Sequence, residues 1–285
     1  MTALRDLVAE EIATPVDPRV SAMAEAIAAK YAPASRAVLF YGSCLRQQQL
    51  EGLMLDFYLI VSDYRSAYRK RWLAAANRLI PPNVFYFAKD GLAAKYAVLS
   101  EADFHRLNGP ETRSVSVWAR FAQPSRLVWA ADKKAWERAV DAVSRAAPTL
   151  LAAAGRRNGE KPLDWWRRAF ALTYSAELRA ERAGRHASVV DSDRQRFVRF
   201  TEAAAAAIQR KPKGSWRGRR IEGKALSILR LAKASATFAG GADYIAWKIN
   251  RHAKTEIRLK PWQQRHPLLA GITLLPRLIR SGAVR

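Results

Sequence analysis

Two short stretches hold the residues with the clearest chemistry, "VLFYGSCLRQ" (38–47) and "LMLDFYLIVSD" (53–63). In the first, an apolar run ends in Tyr41-Gly42-Ser43. In the second, a lone Asp56 interrupts another apolar run. A Gly-Ser turn leaving a strand offers backbone N–H groups and a hydroxyl to a triphosphate. A carboxylate on a neighbouring strand is placed to hold a Mg²⁺ ion that bridges phosphate oxygens. Together they are the skeleton of a metal-assisted nucleotidyl-transfer site. An ordinary strand-to-helix turn beside an edge-strand carboxylate would read the same way. A second acid two residues after the first is usual in such sites, and here that position is Tyr58.

The elements that must position these residues follow from pattern. Strands are expected over 36–42, 53–63, 83–89, 92–101 and 125–130, with a hairpin turn at Asp90-Gly91. Helices are expected over 20–32, 66–80 and 133–154, then over 163–183 and 193–210, with more helix through Ile249 after a basic, Gly-containing segment (211–224). Residues 155–162, "GRRNGEKP", read as a linker. The expected fold is α+β: a nucleotidyltransferase-like mixed-sheet domain over 1–150, a mainly helical basic domain over 151–265 that completes the site, and a C-terminal amphipathic segment over 266–285.

Charge separates the halves. Residues 1–150 carry 20 Lys/Arg against 15 Asp/Glu, and residues 151–285 carry 29 against 10, within a chain of formal net charge +24. Such an excess implies a polyanionic partner, nucleic acid or an anionic membrane. The single cysteine, Cys44, excludes an internal disulfide framework and suits a reducing compartment. The first residues are acidic where a secretory signal needs a basic region, and no run approaches the roughly 20 apolar residues of a membrane span. The expectation is a cytoplasmic protein, peripheral on the inner face of a membrane.

Further stretches, in order, extend the reading. "AAKYAVLSEADF" (93–104), "WARFAQPSRLV" (118–128) and "ALTYSAELR" (171–179) follow the Gly-Ser and Asp blocks. With those blocks they resemble the mitochondrial-type phosphatidate cytidylyltransferases, the translocator-maintenance family that makes CDP-diacylglycerol. The resemblance covers roughly residues 37–180. It implies CTP and phosphatidic acid as substrates and Mg²⁺ as cofactor. It also implies an acid from the second domain, Glu177, where the family has aspartate, so that Asp56 and Glu177 flank one metal. Asp63 matches a further acidic position and is a reserve ligand. Lys95 would meet a phosphate, as would Arg120 and Arg179 through their guanidinium forks. Tyr174 and Ser175 would shape the nucleotide pocket with Tyr41, Gly42 and Ser43. Trp165-Trp166 read as packing rather than base stacking.

The C-terminal run "HPLLAGITLLPRLIRSGAVR" (266–285), preceded by Trp247 and Trp262 among six Lys/Arg (244–265), reads as a membrane-associating segment. Two rival readings stand beside the lipid enzyme. The basic stretch "KPKGSWRGRR" (211–220) suits an RNA phosphate backbone, so nucleotidyl transfer to RNA is one. The missing second strand carboxylate suits a catalytically degenerate protein that binds acidic membranes, and this is the other.

Overall fold

The computed structural model describes residues 3–47, 50, 52–177 and 189–237. Five strands, β1 (Ser35–Tyr41), β2 (Met54–Val61), β3 (Asn83–Lys89), β4 (Leu92–Ser100) and β5 (Ser125–Ala130), form one mixed sheet of order β3-β4-β2-β1-β5. The β2–β4 pair is parallel, and the others are antiparallel. Asp90 and Gly91 both take positive φ, 50° and 74°, which lets two residues close the β3–β4 hairpin.

Side chains alternate across the sheet and divide its neighbours into two layers. One face carries Val38, Phe40, Leu55, Phe57 and Leu59, and α2 (Pro18–Ala29) packs on it through Val20, Met23 and Ile27. The other carries Leu39, Tyr58, Ile60, Ala97 and Leu99, and seven further helices join its core, some on the sheet and the rest stacked on those. These are α1 (Ala3–Ile12), α6 (Glu101–Asn108), α7 (Trp118–Phe121), α8 (Lys133–Ser144), α9 (Ala146–Ala154), α10 (Pro162–Ala176) and α11 (Arg194–Ala206). Short α3 (Ser43–Gln47), α4 (Tyr64–Ala67) and α5 (Arg71–Leu79) connect strands, and α12 (Trp216–Thr237) follows α11. The architecture is α+β, as expected.

The buried cluster on this second face runs without a break from Leu4 through Leu150 and Trp166 to Ala204. The expected boundary near residue 150 thus falls inside a continuous core. Trp166 is fully buried against Phe170 and Phe197, and its Nε1 donates to Thr201 at 3.0 Å. A buried ion pair ties the first helix to this half. Arg196 binds Glu11 through two guanidinium nitrogens and donates to the Ala122 carbonyl at 2.9 Å.

Three expected elements are corrected. The helix over 66–80 is two pieces, because Tyr68 turns extended and sends its ring against Tyr31 and Phe85. The helix over 133–154 breaks at Arg145, three residues before Pro148, whose missing N–H cannot continue the ladder. The basic stretch 211–220 is only half open, residues 211–215 being irregular. Helix begins at Trp216, whose Nε1 donates to Ala153 at 3.1 Å, and Arg219 is buried and donates to three backbone carbonyls. Trp216 and Arg219 are therefore turned into the protein rather than presented to a nucleic-acid backbone.

Candidate functional site

Asp56 is the third residue of β2 and stands opposite Tyr41 of β1 on one side and Lys95 of β4 on the other. Period-2 alternation puts it on the same face as Tyr58 and Ile60, toward the helices. Its carboxylate lies 2.9 Å from Lys95 Nζ, both side chains being mostly covered. A lysine in the middle of an apolar strand is tolerable because this carboxylate answers it.

Gly42 follows directly on β1 with φ +97°. A Cβ there would sit 2.9 Å from Asp56 Oδ2. Glycine is required twice over, for the left-handed backbone and for the close passage over the carboxylate. Ser43 then opens α3. Cys44 beside it is buried and donates weakly to the Met54 carbonyl, and burial first, with the nearby Asp56 charge, pushes its thiol up to about 11. It is a packing residue, not a nucleophile.

A second ion pair approaches from the helical half. Arg120 of α7 donates to the Ser116 carbonyl and lies 3.7 Å from Glu177, which caps the end of α10 and is nearly buried. Burial works against the Arg120 charge, but Glu177, Tyr58, Tyr41 and Asp56 together outweigh it and hold the guanidinium protonated. Tyr58 occupies the position of the missing second acid. Its ring is buried against Tyr41, Phe121 and Phe104, with ring centroids 5.3, 5.1 and 6.5 Å away. Burial raises the phenol of Tyr58, as it does that of Tyr41, where the Asp56 charge adds to the effect.

Sequence reasoning missed two residues of α12. Arg230 donates to the Pro81 carbonyl at 2.8 Å, reaches Ser114, and feels the charges of Glu177 and Arg120. Lys233, one turn on, donates to the carbonyls of Ile80 and Pro82, and burial and then Arg230 lower its pKa to about 7. The only signal for them was the period of a basic helix, which does not say where its charges land.

The structure thus brings Tyr41, Gly42, Ser43, Asp56 and Lys95 together at one end of the sheet, with Arg120 and Glu177 facing them. Tyr174 is half-buried against the core, and Ser175, exposed on α10, returns its hydroxyl to the Leu172 carbonyl at 2.7 Å. Asp63 does not join them. It lies seven residues along from Asp56, about 23 Å for an extended strand, and caps α4 through the N–H groups of Arg65 and Ser66. Arg179 and residues 244–285 lie outside the described residues.

The acids, taken as donors, fit one kind of metal site. Among the described residues no three His, Cys, Asp or Glu side chains gather to hold a metal ion. Mg²⁺ is commonly held by one or two carboxylates, the rest of its shell being substrate phosphate and water. The cluster offers two carboxylates, Asp56 and Glu177, each paired with a cation, which is that number of acids and not an all-protein cage. A surface hollow between α6 and α8, lined by Ser62, Glu101, His105, Arg138 and Asp141, shares no residue with this cluster.

No family model matches the chain, and no curated protein matches it. Among solved structures, the chain is similar to a nucleotidyltransferase-like protein from Exiguobacterium sibiricum 255-15, at 12% identity over 92% of each chain and a TM-score of 0.28. That likeness carries no argument about activity.

Proposed function

We propose that the chain is a nucleotidyltransferase that moves CMP from CTP to phosphatidic acid, giving CDP-diacylglycerol and pyrophosphate. One observation carries the reading: Gly42 turns directly over a carboxylate that is itself paired with an in-strand lysine, and further cations close the same end of the sheet.

The phosphates of CTP would lie over the Gly42–Ser43 turn, accepting hydrogen bonds from its backbone and from the Ser43 hydroxyl. Asp56, with Glu177 opposite, would hold Mg²⁺, which when bound neutralises charge on the triphosphate oxygens. Lys95 would exchange its carboxylate partner for a phosphate oxygen once Asp56 is so engaged. A non-bridging oxygen of the acceptor phosphate attacks the α-phosphorus in line. The bond to the α,β-bridging oxygen breaks, and its electron pair leaves with pyrophosphate. No general base is needed, because a phosphomonoester is already anionic near neutral pH. Lys95, Arg120 and Arg230 meet the charge gathering on the departing oxygens, and positioning with charge neutralisation supplies the rate. The ring pair of half-buried Tyr41 and buried Tyr58 would line one side of the centre.

A second reading, a degenerate binder, is favoured by one feature: each acid of the cluster is already answered by a cation, and Tyr58 fills the place of another acid. Purified chain incubated with Mg²⁺, α-³²P-labelled CTP and phosphatidate vesicles separates the two. Label in the lipid phase, lost in Asp56→Asn while the fold is kept, supports transfer. No label from any of the four nucleoside triphosphates supports the binder.

A further inference from the structure

We propose that α5 and α12 form the face by which the chain docks on an anionic lipid bilayer, with Trp72, Leu79, Ile228 and Leu229 entering the headgroup boundary and Arg71 and Arg78 meeting lipid phosphates.

The exposed large apolar residues on helices fall mainly on these two. On α5, Trp72 and Leu79 are seven residues apart and share one side of the helix, with Leu79 79% exposed. Arg71 and Arg78 repeat the same spacing one position earlier, so the outward side alternates cation and apolar group. The opposite side buries Ala74 and Asn77. On α12, Ile221, Ala225 and Ile228 with Leu229 make an outward apolar stripe, and Arg217, Arg220 and Lys224 are exposed along it. Apolar groups bordered by Arg and Lys on a helix side, with a tryptophan among them, are the composition of a helix lying in a membrane interface.

The last described helix meets the segment that follows α5. Lys233 and Arg230 of α12 hold the carbonyls of Ile80, Pro81 and Pro82, the residues that follow Leu79. Arg230 is also the α12 residue that reaches toward Glu177, Tyr58 and Arg120. A membrane seated on this face would lie beside the cations of the candidate site. A headgroup phosphate could then reach them while its acyl chains stay in the bilayer.

Charge selects the occupant. The face is rimmed by cations, so a second copy of a chain with net charge +24 is repelled by it. An RNA backbone would answer the arginines but leaves four large apolar side chains without partners. An anionic bilayer answers both kinds of group.

The inference uses the lipid acceptor of the proposed reaction, yet its test needs no nucleotide. Full-length chain is sedimented with phosphatidylglycerol-rich vesicles and with pure phosphatidylcholine vesicles. Leu79→Glu/Ile228→Glu and Arg71→Gln/Arg78→Gln are compared with it, each with its Tm. The chain should pellet with the anionic vesicles and much less with neutral ones. The arginine variant should bind about 25-fold more weakly, at about fivefold per basic residue near the surface, and the glutamate variant about tenfold or more weakly, both with unchanged Tm. Turnover of a water-soluble short-chain phosphatidate should be kept in both variants and turnover of vesicle phosphatidate lost.

Wild-type pelleting by both variants would overturn the proposal. A drop in Tm that accompanies the lost binding would also overturn it, by showing that the chain's own residues cover the face. Loss of single-stranded RNA binding in the arginine variant alone, with vesicle binding intact, would make it a nucleic-acid surface. Vesicle binding that depends on the face in a chain that never turns over CTP would leave the docking standing and remove the transferase reading.

Discussion

Gly42→Ala is the sharpest probe of the turn. The residue sits at φ +97°, and an L side chain there costs about 1–3 kcal/mol of backbone strain. At about 2–4 °C per kcal/mol for a domain of this size, a midpoint cost of about 2 kcal/mol lowers Tm by about 4–8 °C. The contact adds a second effect. The new Cβ would lie 2.9 Å from Asp56 Oδ2 and 3.3 Å from Asp56 Cβ. The Cβ is fixed by the β2 backbone, so the carboxylate must rotate away, and its 2.9 Å pair with Lys95 is lost or lengthened. A displacement of that order at a reacting centre costs about 100-fold in rate.

Gly91→Ala separates the two effects. Its φ is +74°, and a Cβ there meets nothing within 4 Å. It should lose stability to a similar degree and keep its turnover. Thermal unfolding by circular dichroism gives the first quantity. Initial rates of labelled CTP transfer, measured well below both midpoints, give the second. Wild-type turnover in Gly42→Ala, or an equal loss in Gly91→Ala, would refute the claim that the turn and Asp56 act as one unit.

Other outcomes follow from the same geometry. Glu177→Gln leaves Arg120 facing Arg230 without its closest carboxylate, and should lower stability by about 1–3 kcal/mol, the partial exposure of Arg120 keeping it below the range for a fully buried pair. Urea unfolding measures the cost, and a midpoint equal to wild type would show that the pair contributes nothing. Glu11→Gln strands the buried Arg196 cation, and neither residue belongs to the site cluster. It should cost about 3–5 kcal/mol in urea unfolding at an unchanged m value, with activity per folded molecule intact. Lys233 supplies a pH dependence. Its pKa is about 7 in the fold against an ordinary 10.5, so between these values the unfolded chain holds one proton more than the native one, and this residue makes stability rise with pH across that window. Urea midpoints from pH 7 upward should climb less in Lys233→Met than in the wild type, and identical slopes would show that the amine is not held neutral.

Local pattern made much of the frame legible. Each of the five strands lies within two residues of its expected limits, because apolar and aromatic runs bounded by Gly, Pro and Asp leave few alternatives. Asp90-Gly91 was readable as a turn, since both residues tolerate positive φ. Asp56 stood out because a carboxylate inside an apolar strand needs a partner or a task, and the partner is Lys95.

What the sequence left undecided was which groups meet. Asp56 and Lys95 are 39 residues apart and face each other only because β2 and β4 pair in parallel at one register, which no local period encodes. Tyr68 ends a helix early because its ring is drawn into an aromatic cluster from other elements. Asp63 read as a reserve ligand beside Asp56, yet the rise along an extended strand carries it to the far end of the sheet, where it caps a helix. Arg230 comes beside Glu177 and Arg120 from the last described helix, where it and Lys233 bond to the carbonyls of Ile80, Pro81 and Pro82. The types of residue able to do chemistry, and the strands that carry them, are properties of the chain read in order. Their convergence at one end of the sheet is a property of packing, because long-range register and burial decide which charges must be neighbours.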